Sequence, residues 1–355
     1  MFRRRLRAPA LLACAALATV ACVPPGDENP LPPGERGPQK IYVANEDDGS
    51  FSVIDGATLE VTTTIEIDGA DMPMPHNVQV APDGASVWAT AMPMMEGGDD
   101  VVLIIDPTTD QISEQLTLGT DLHLAHVVLS DDSAVAYVTA SESGEVLHLD
   151  TASHEIVDRH ALTAGAYPHG ARMCGGKLYV AEMDGMSLAV LDHAADTVEE
   201  IDVGGVAVQT ACTPDQRFVF VTLYDTKEVV RLDVATQALS RIALPAEAQG
   251  PVQAYPSPDS TRLYVADQGV LLDRPASNQL YVIDVEAASV IGSVEVGQGP
   301  HGVVVEAGGA RAFTTNLVDG TVSVVDTASL SLSATIVVGE APNGISCWHA
   351  DGGMP

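Results

Sequence analysis

Seven times, at intervals of 41 to 49 residues, an aromatic side chain recurs inside a short β-like run: Tyr42, Trp88, Tyr137, Tyr179, Phe220, Tyr264 and Phe313. That interval is the period of a four-stranded propeller blade, a unit that cannot bury its apolar face until neighbouring copies stack on it. A second marker keeps step with the first. An aspartate ends an alternating or apolar run at Asp55, Asp106, Asp150, Asp192, Asp233, Asp284 and Asp326. Small turn-forming residues such as Gly56-Ala57-Thr58 follow each one, where the carboxylate is placed to accept backbone N–H groups and start a hairpin turn. The two markers predict an all-β chain, a seven-bladed β-propeller of four-stranded blades. Its 355 residues fit one closed unit of this kind, and the chain lacks the apolar heptads and long amphipathic patterns of helical folds.

One period reads as four strands, for example Pro75 to Ala81, Ser86 to Ala91, Val101 to Asp106 and Gln111 to Leu118, here termed inner, second, third and outer. The chain begins out of phase: a second-third-outer set, Ile41 to Ile67, precedes any inner strand, and an inner strand, Pro342 to His349, is left over at the end. The first blade should therefore be closed by the C-terminal strand, which removes the two free edges of an open ring.

These runs resemble the YVTN-repeat propeller family, which takes in surface-layer and YncE-like proteins of the WD40/YVTN superfamily. The similarity rests on Ile41-Tyr42-Val43-Ala44-Asn45, Ala136-Tyr137-Val138-Thr139, Ala312-Phe313-Thr314-Thr315-Asn316, Phe51-Ser52-Val53-Ile54-Asp55, Thr321-Val322-Ser323-Val324-Val325-Asp326, and Pro-His-Gly at 168–170 and 300–302. It spans about residues 40 to 350 and implies the fold. A propeller of this kind hosts unrelated activities, lactonase-like ones included, so the resemblance does not settle function.

The N-terminal region reads as export apparatus. A basic start, Met1 to Arg7, and an apolar run, Ala8 to Ala21, have the order of a secretory signal over residues 1–21 and are too short to span a bilayer. Leu17-Ala18-Thr19-Val20-Ala21-Cys22 resembles a bacterial lipobox with Cys22 as the lipidated residue, although Thr19 departs from the usual leucine. Leu11-Leu12-Ala13-Cys14 matches the box better but leaves too short an apolar run. Simple signal cleavage is the alternative. A Pro/Gly-rich tether follows over 22–39, then the propeller at 40–350 and a tail at 351–355. The expected location is the cell envelope, as an outer-membrane lipoprotein facing the periplasm or the cell surface, with membrane contact through the lipid alone.

Loss of the four arginines of the signal leaves 12 basic against 49 acidic side chains, a formal charge of −37. Nucleic acid is excluded as a partner on that ground, and a soluble monomer is expected. Cys174 and Cys212 fall near the ends of neighbouring inner strands with registers one residue apart, which leaves a bridge and two buried thiols both open; Cys347 is then left over.

In a ring of such blades the outer-to-inner and second-to-third connections share one face. The opposite face carries short stereotyped turns such as Ala81-Pro82-Asp83-Gly84, whereas this one carries the irregular loops Met92 to Asp100 and Asp267 to Asn278. Function in a repeat scaffold concentrates in irregular loops. That face also collects soft ligands. Met72, Met74, Met92, Met94 and Met95, with His126, are the candidate ligand-binding residues; His76, His123, His126, His169 and His301 are the candidate metal ligands. Thioether and imidazole favour copper. An exposed methionine patch equally suits a protein or apolar ligand, and a Pro-His entry belongs to the repeat itself. His126 is more telling, because it stands where the family has glycine. The acidic loop residues Glu46, Asp47, Asp48, Asp99, Asp100 and Asp184 suit calcium in type but lack an ordered calcium-loop spacing.

No nucleophile–base pair or carboxylate pair appears as a local motif. The leading expectation is therefore a non-enzymatic, envelope-anchored scaffold that recognises an envelope protein or a small ligand through its loop-rich face. A periplasmic copper-binding or redox-partner protein and a lactonase-like hydrolase remain the alternatives.

Overall fold

Six antiparallel four-stranded meanders form in a computed structural model of the chain, and a seventh sheet, blade 1, carries a short fifth strand, Gly352–Gly353, from what the sequence marks as the tail; the seven stand in a ring. The structure describes residues 40–68, 73–349 and 352–353; the expected signal, Cys22, the tether and Met72 lie outside these. Blade 2 runs through Met74–Val80, Val87–Met92, Asp99–Asp106 and Gln111–Thr120, within two residues of the strands expected from the sequence. Blades 3 to 7 occupy 124–161, 168–202, 207–243, 251–295 and 300–337. Apart from one 3-10 turn, Leu271–Asp273, the described residues form strands and their connections, and none of their helices is long and apolar enough to cross a membrane.

Blade 1 joins the two ends of the chain. Lys40–Asn45, Ser50–Asp55 and Glu60–Glu66 supply three strands, and Pro342–His349 supplies the inner one. Ile41 pairs with Cys347 and Val43 with Ile345 in antiparallel register, while Trp348 Nε1–H donates to the Gly84 carbonyl of blade 2 at 2.8 Å. Pro342–His349 thus completes the sheet of blade 1 and holds it against blade 2, where the Ser346 hydroxyl also accepts the Val80 N–H at 3.0 Å.

The repeated aromatics explain why the blades stack. All seven are buried, from 0 % exposure at Tyr42 to 5 % at Tyr137. Apolar clusters fill the gaps between successive blades: Tyr42, Phe51 and Val53 of blade 1 pack on Val80, Leu103 and Ile105 of blade 2, and the pattern repeats around the ring. The repeated aspartates act at the opposite face as the sequence implies. Every one accepts a backbone N–H from two or three residues further on, as Asp55 does from Ala57 and Thr58. Each turn then closes on a left-handed residue four positions after the aspartate, from Leu59 to Leu330.

Cys174 and Cys212 are joined in a disulfide, with Cα atoms 5.7 Å apart, so the one-residue offset in register is no obstacle. The bridge ties the inner strands of blades 4 and 5, and Cys347 is buried and free. Two outcomes follow for stability. Deleting residues 341–355 should abolish the cooperative thermal transition and drive the chain to aggregate in size-exclusion chromatography; a truncated chain that melts like the full one would contradict closure through blade 1. Replacing Cys174 and Cys212 by alanine closes no 38-residue loop in the unfolded chain and should lower stability by about 3 to 4 kcal/mol in denaturant titrations.

Candidate functional site

Every inner strand breaks register with its neighbour over its first four residues, as between Pro168 and Ala171 or Pro300 and Val303. Such bulges re-aim side chains and bend a strand. Here they set two residues of each blade at the mouth of the central channel. In ring order from blade 2 the first of the pair is His76, Ala125, His169, Val208, Val252, His301 and Asn343, and the second is Asn77, His126, Gly170, Gln209, Gln253, Gly302 and Gly344. Glycine recurs in the second place because the next inner strand crowds it: a Cβ on Gly302 would lie 2.4 Å from the Asn343 carbonyl oxygen.

The threonine of the second strand locks this geometry. Thr139 accepts the N–H of His126 at 2.9 Å and donates to the His169 carbonyl of the next blade at 2.7 Å. Thr90, Thr222 and Thr315 repeat the arrangement at three other junctions. One hydroxyl satisfies the N–H freed by the bulge and fixes the spacing between blades, so the channel residues have little freedom to separate.

Three imidazoles meet there. A nitrogen of each of His76, His126 and His169, from three successive blades, lies within 4.8 Å of the other two. The Nε2 atoms of His76 and His169 are 3.4 Å apart. His169 Nδ1–H donates to the Val208 carbonyl at 3.0 Å, which directs its Nε2 lone pair toward His76. His76 Nδ1 faces the Glu46 carboxylate at 3.5 Å and the Asn343 side chain at 3.1 Å, and Asn343 also donates to Glu46. Partners on one ring nitrogen that leave the other free are the arrangement that presents imidazole to a metal. His126 Nε2 is buried with no hydrogen-bond partner among the described residues.

The electrostatics favour neutral rings at His126, His169 and His301. Burial, reinforced by the charge of His76, pushes His169 and His301 down to about 3, and burial with His169 beside it holds His126 well below the ordinary imidazole value. Burial alone would raise Glu46, but the hydrogen bond and charge of His76 and the Asn343 amide outweigh it and hold that carboxyl at about 2. Neutral imidazole is the form that binds a metal.

The other sequence candidates separate from this set. The His301 ring lies 6.4 Å from that of His76, but its Nδ1 takes a 2.6 Å hydrogen bond from Gln268, and it is not within ligand distance of the three. His123 packs on Tyr167 and helps line a neighbouring cavity of about 500 Å³ with Met74, Met92, Met95, Glu46 and Glu142. Met94 stands half exposed outside that cavity. Among the acidic loop residues, Asp100 is buried and accepts the N–H groups of Leu122 and Leu124, and Asp48 accepts that of Glu340. Asn343 escaped the sequence reading because an asparagine after proline looks ordinary until ring closure sets blade 1 beside His76.

Because these histidines bind protons less readily folded than unfolded, acid favours the unfolded chain. Stability of the metal-free protein is fully present above the ordinary imidazole value of about 6.5 and should fall as pH drops toward 4. Glu182, pushed up to about 8 by burial and the Glu200 hydrogen bond, works in the opposite sense but is a single group. Denaturant titrations across pH 7 to 4 test this, and a flat profile would contradict neutral burial of His126, His169 and His301.

Solved structures with the same architecture carry little sequence identity. Virginiamycin B lyase from Staphylococcus aureus is 14% identical over 88% of this chain and 96% of its own, with a TM-score of 0.66. A protein of unknown function from Desulfotomaculum acetoxidans is 13% identical over 87% and 99%, with a TM-score of 0.70. A protein from Bacteroides fragilis described as a putative 6-phosphogluconolactonase is 13% identical over 87% and 98%, with a TM-score of 0.66. At these identities the likeness is one of fold. No curated protein matches the sequence. The family model for YncE-like β-propellers matches residues 5–352, and the chain belongs to that family.

Proposed function

We propose that the protein is a metal-binding propeller that holds one transition-metal ion at its channel mouth through His76, His126 and His169, and offers it to a ligand or partner across the loop-rich face. The observation that carries this reading is the convergence of three imidazole nitrogens within 4.8 Å from three different blades. Imidazole suits copper, zinc and nickel, and Cu²⁺ leads the divalent series in affinity. Three protein ligands are also the number used by zinc sites that keep a position open for water or substrate. The cavity beside the site, lined by Met74, Met92 and Met95 together with the carboxylates of Glu46, Glu96, Asp121 and Glu142, shares Glu46 with it and gives an approach that attracts cations. Calcium fits the site less well, since it prefers clustered oxygens and the nearby carboxylates are already engaged, Glu46 by Asn343 and His76, Asp48 by the Glu340 N–H and Asp100 by the Leu122 N–H.

The repeat itself supplies mild substitutions. Gln209 and Gln253 occupy the place of His126, and Val208 and Val252 that of His169, so His126→Gln and His169→Val should leave the ring folded. Elemental analysis of untagged protein, with titration of Cu²⁺ and Zn²⁺, should show one equivalent lost or weakened by roughly 100-fold or more in the double variant. Equal binding in both proteins would remove the channel site. Glu46→Gln should retain the ligands yet weaken binding by about 10- to 100-fold through loss of orientation at His76.

A further inference from the structure

Three of the remaining histidines lie far along the blades from the channel, where the third and outer strands of blade 3 pack on blade 4. His148 is two residues before its repeat aspartate, a place held by Val53, Ile104, Val190, Val282 and Val324 in five other blades and by Arg231 in the sixth. His160 pairs with Val146 on the outer strand, where the other six blades put Ile65, Leu116, Ile201, Ile242, Val294 and Ile336. His193 directly follows its repeat aspartate, where the others carry glycine, proline, threonine or valine. Three separate departures from the repeat thus meet at one joint.

Their rings pack closely at tilted angles, with centroids 4.5 Å apart for His148 and His160 and 4.8 Å for His148 and His193. Ligand atoms of His148, Asp158, His160 and His193 all lie within 4.8 Å of one another. His148 has no exposed surface, and neither of its ring nitrogens has a hydrogen-bond partner among the described residues. His160 turns Nδ1 toward Asp196 at 3.7 Å and Nε2 toward Asp158 at 3.4 Å, so one nitrogen is backed by a carboxylate while the other faces the cluster. Asp158 and His193 are exposed and give an ion a path from solvent. Burial, then the charges of His160 and His193, push His148 down to about 4, which keeps it in the neutral, ligating form.

We propose that His148, His160, His193 and Asp158 form a second metal site, for a zinc-class divalent ion, that clamps the outer strand of blade 3 to blade 4. Three imidazoles and a carboxylate make a closed four-ligand set, which suits a structural rather than an open site. The ion would take up one of the two orphaned nitrogens of His148, a buried polar group that otherwise interrupts an apolar gap to no advantage. This site shares no ligand with the channel.

The test uses the full chain with the channel disabled by His126→Gln and His169→Val, titrated with Zn²⁺ and with Co²⁺ as an optical probe. One equivalent should bind, Co²⁺ should give the intense visible bands of tetrahedral coordination, and Zn²⁺ should raise the melting temperature. Adding His148→Val and His160→Ile, the residues other blades carry, should abolish all three responses while leaving a folded ring. Absence of binding in the channel-disabled protein, or binding unchanged by the second pair of substitutions, would overturn the proposal. The first of these comparisons stands even if the combined variant fails to fold.

Discussion

The pairing of Pro342–His349 with Lys40–Asn45 is the constraint on which both the ring and its channel depend. Seven blades bury their aromatic faces only if the circle is complete, and the join is made inside one sheet rather than between two edges. The same join builds half of the channel site. Glu46 enters from the first strands of the chain and Asn343 from the last, they hydrogen-bond to each other, and both face His76 Nδ1. Closure and orientation of the site are therefore one event, and loosening the C-terminal strand would release His76 along with the blade.

Within the closed ring, local irregularity turns a repetitive scaffold into a site. A regular inner strand would alternate its side chains between the two sheet faces, whereas the bulge sets two consecutive residues at the channel mouth. Threonines of the second strand satisfy the amide that the bulge frees and link it to the next blade. The backbone geometry is nearly the same seven times, so the chemistry is decided by which side chain each blade contributes. Valine and alanine in blades 3, 5 and 6 leave those positions inert, and histidines in blades 2, 3 and 4 converge.

The fold was open to sequence reasoning because its determinants are periodic. Tyr42 to Phe313 mark the stacked faces, Asp55 to Asp326 mark the turns, and the phase shift of the first set locates the closing strand. The site was open only in part. His76, His126 and His169 stand out as residue types on the right face, yet their separation from His301 and His123 depends on bulge register and on Gln268 and Tyr167 as competing partners. Asn343 and the double use of Glu46 depend on closure, which no local pattern carries. The cluster of His148, His160 and His193 was visible in principle, since each breaks an apolar column of the repeat. It is found by aligning blades against the turn aspartates, not by looking for ligands along the chain, where 12 and 45 residues separate His148 from the two rings it packs against.

The most direct measurement is anomalous diffraction from crystals of the propeller grown with Cu²⁺, collected on both sides of the copper edge. The account predicts a peak at the channel mouth bonded to His76, His126 and His169, with Glu46 retained behind His76. Peaks confined to surface carboxylates or to the methionine-lined cavity, with the three histidines left at their present separations, would contradict it.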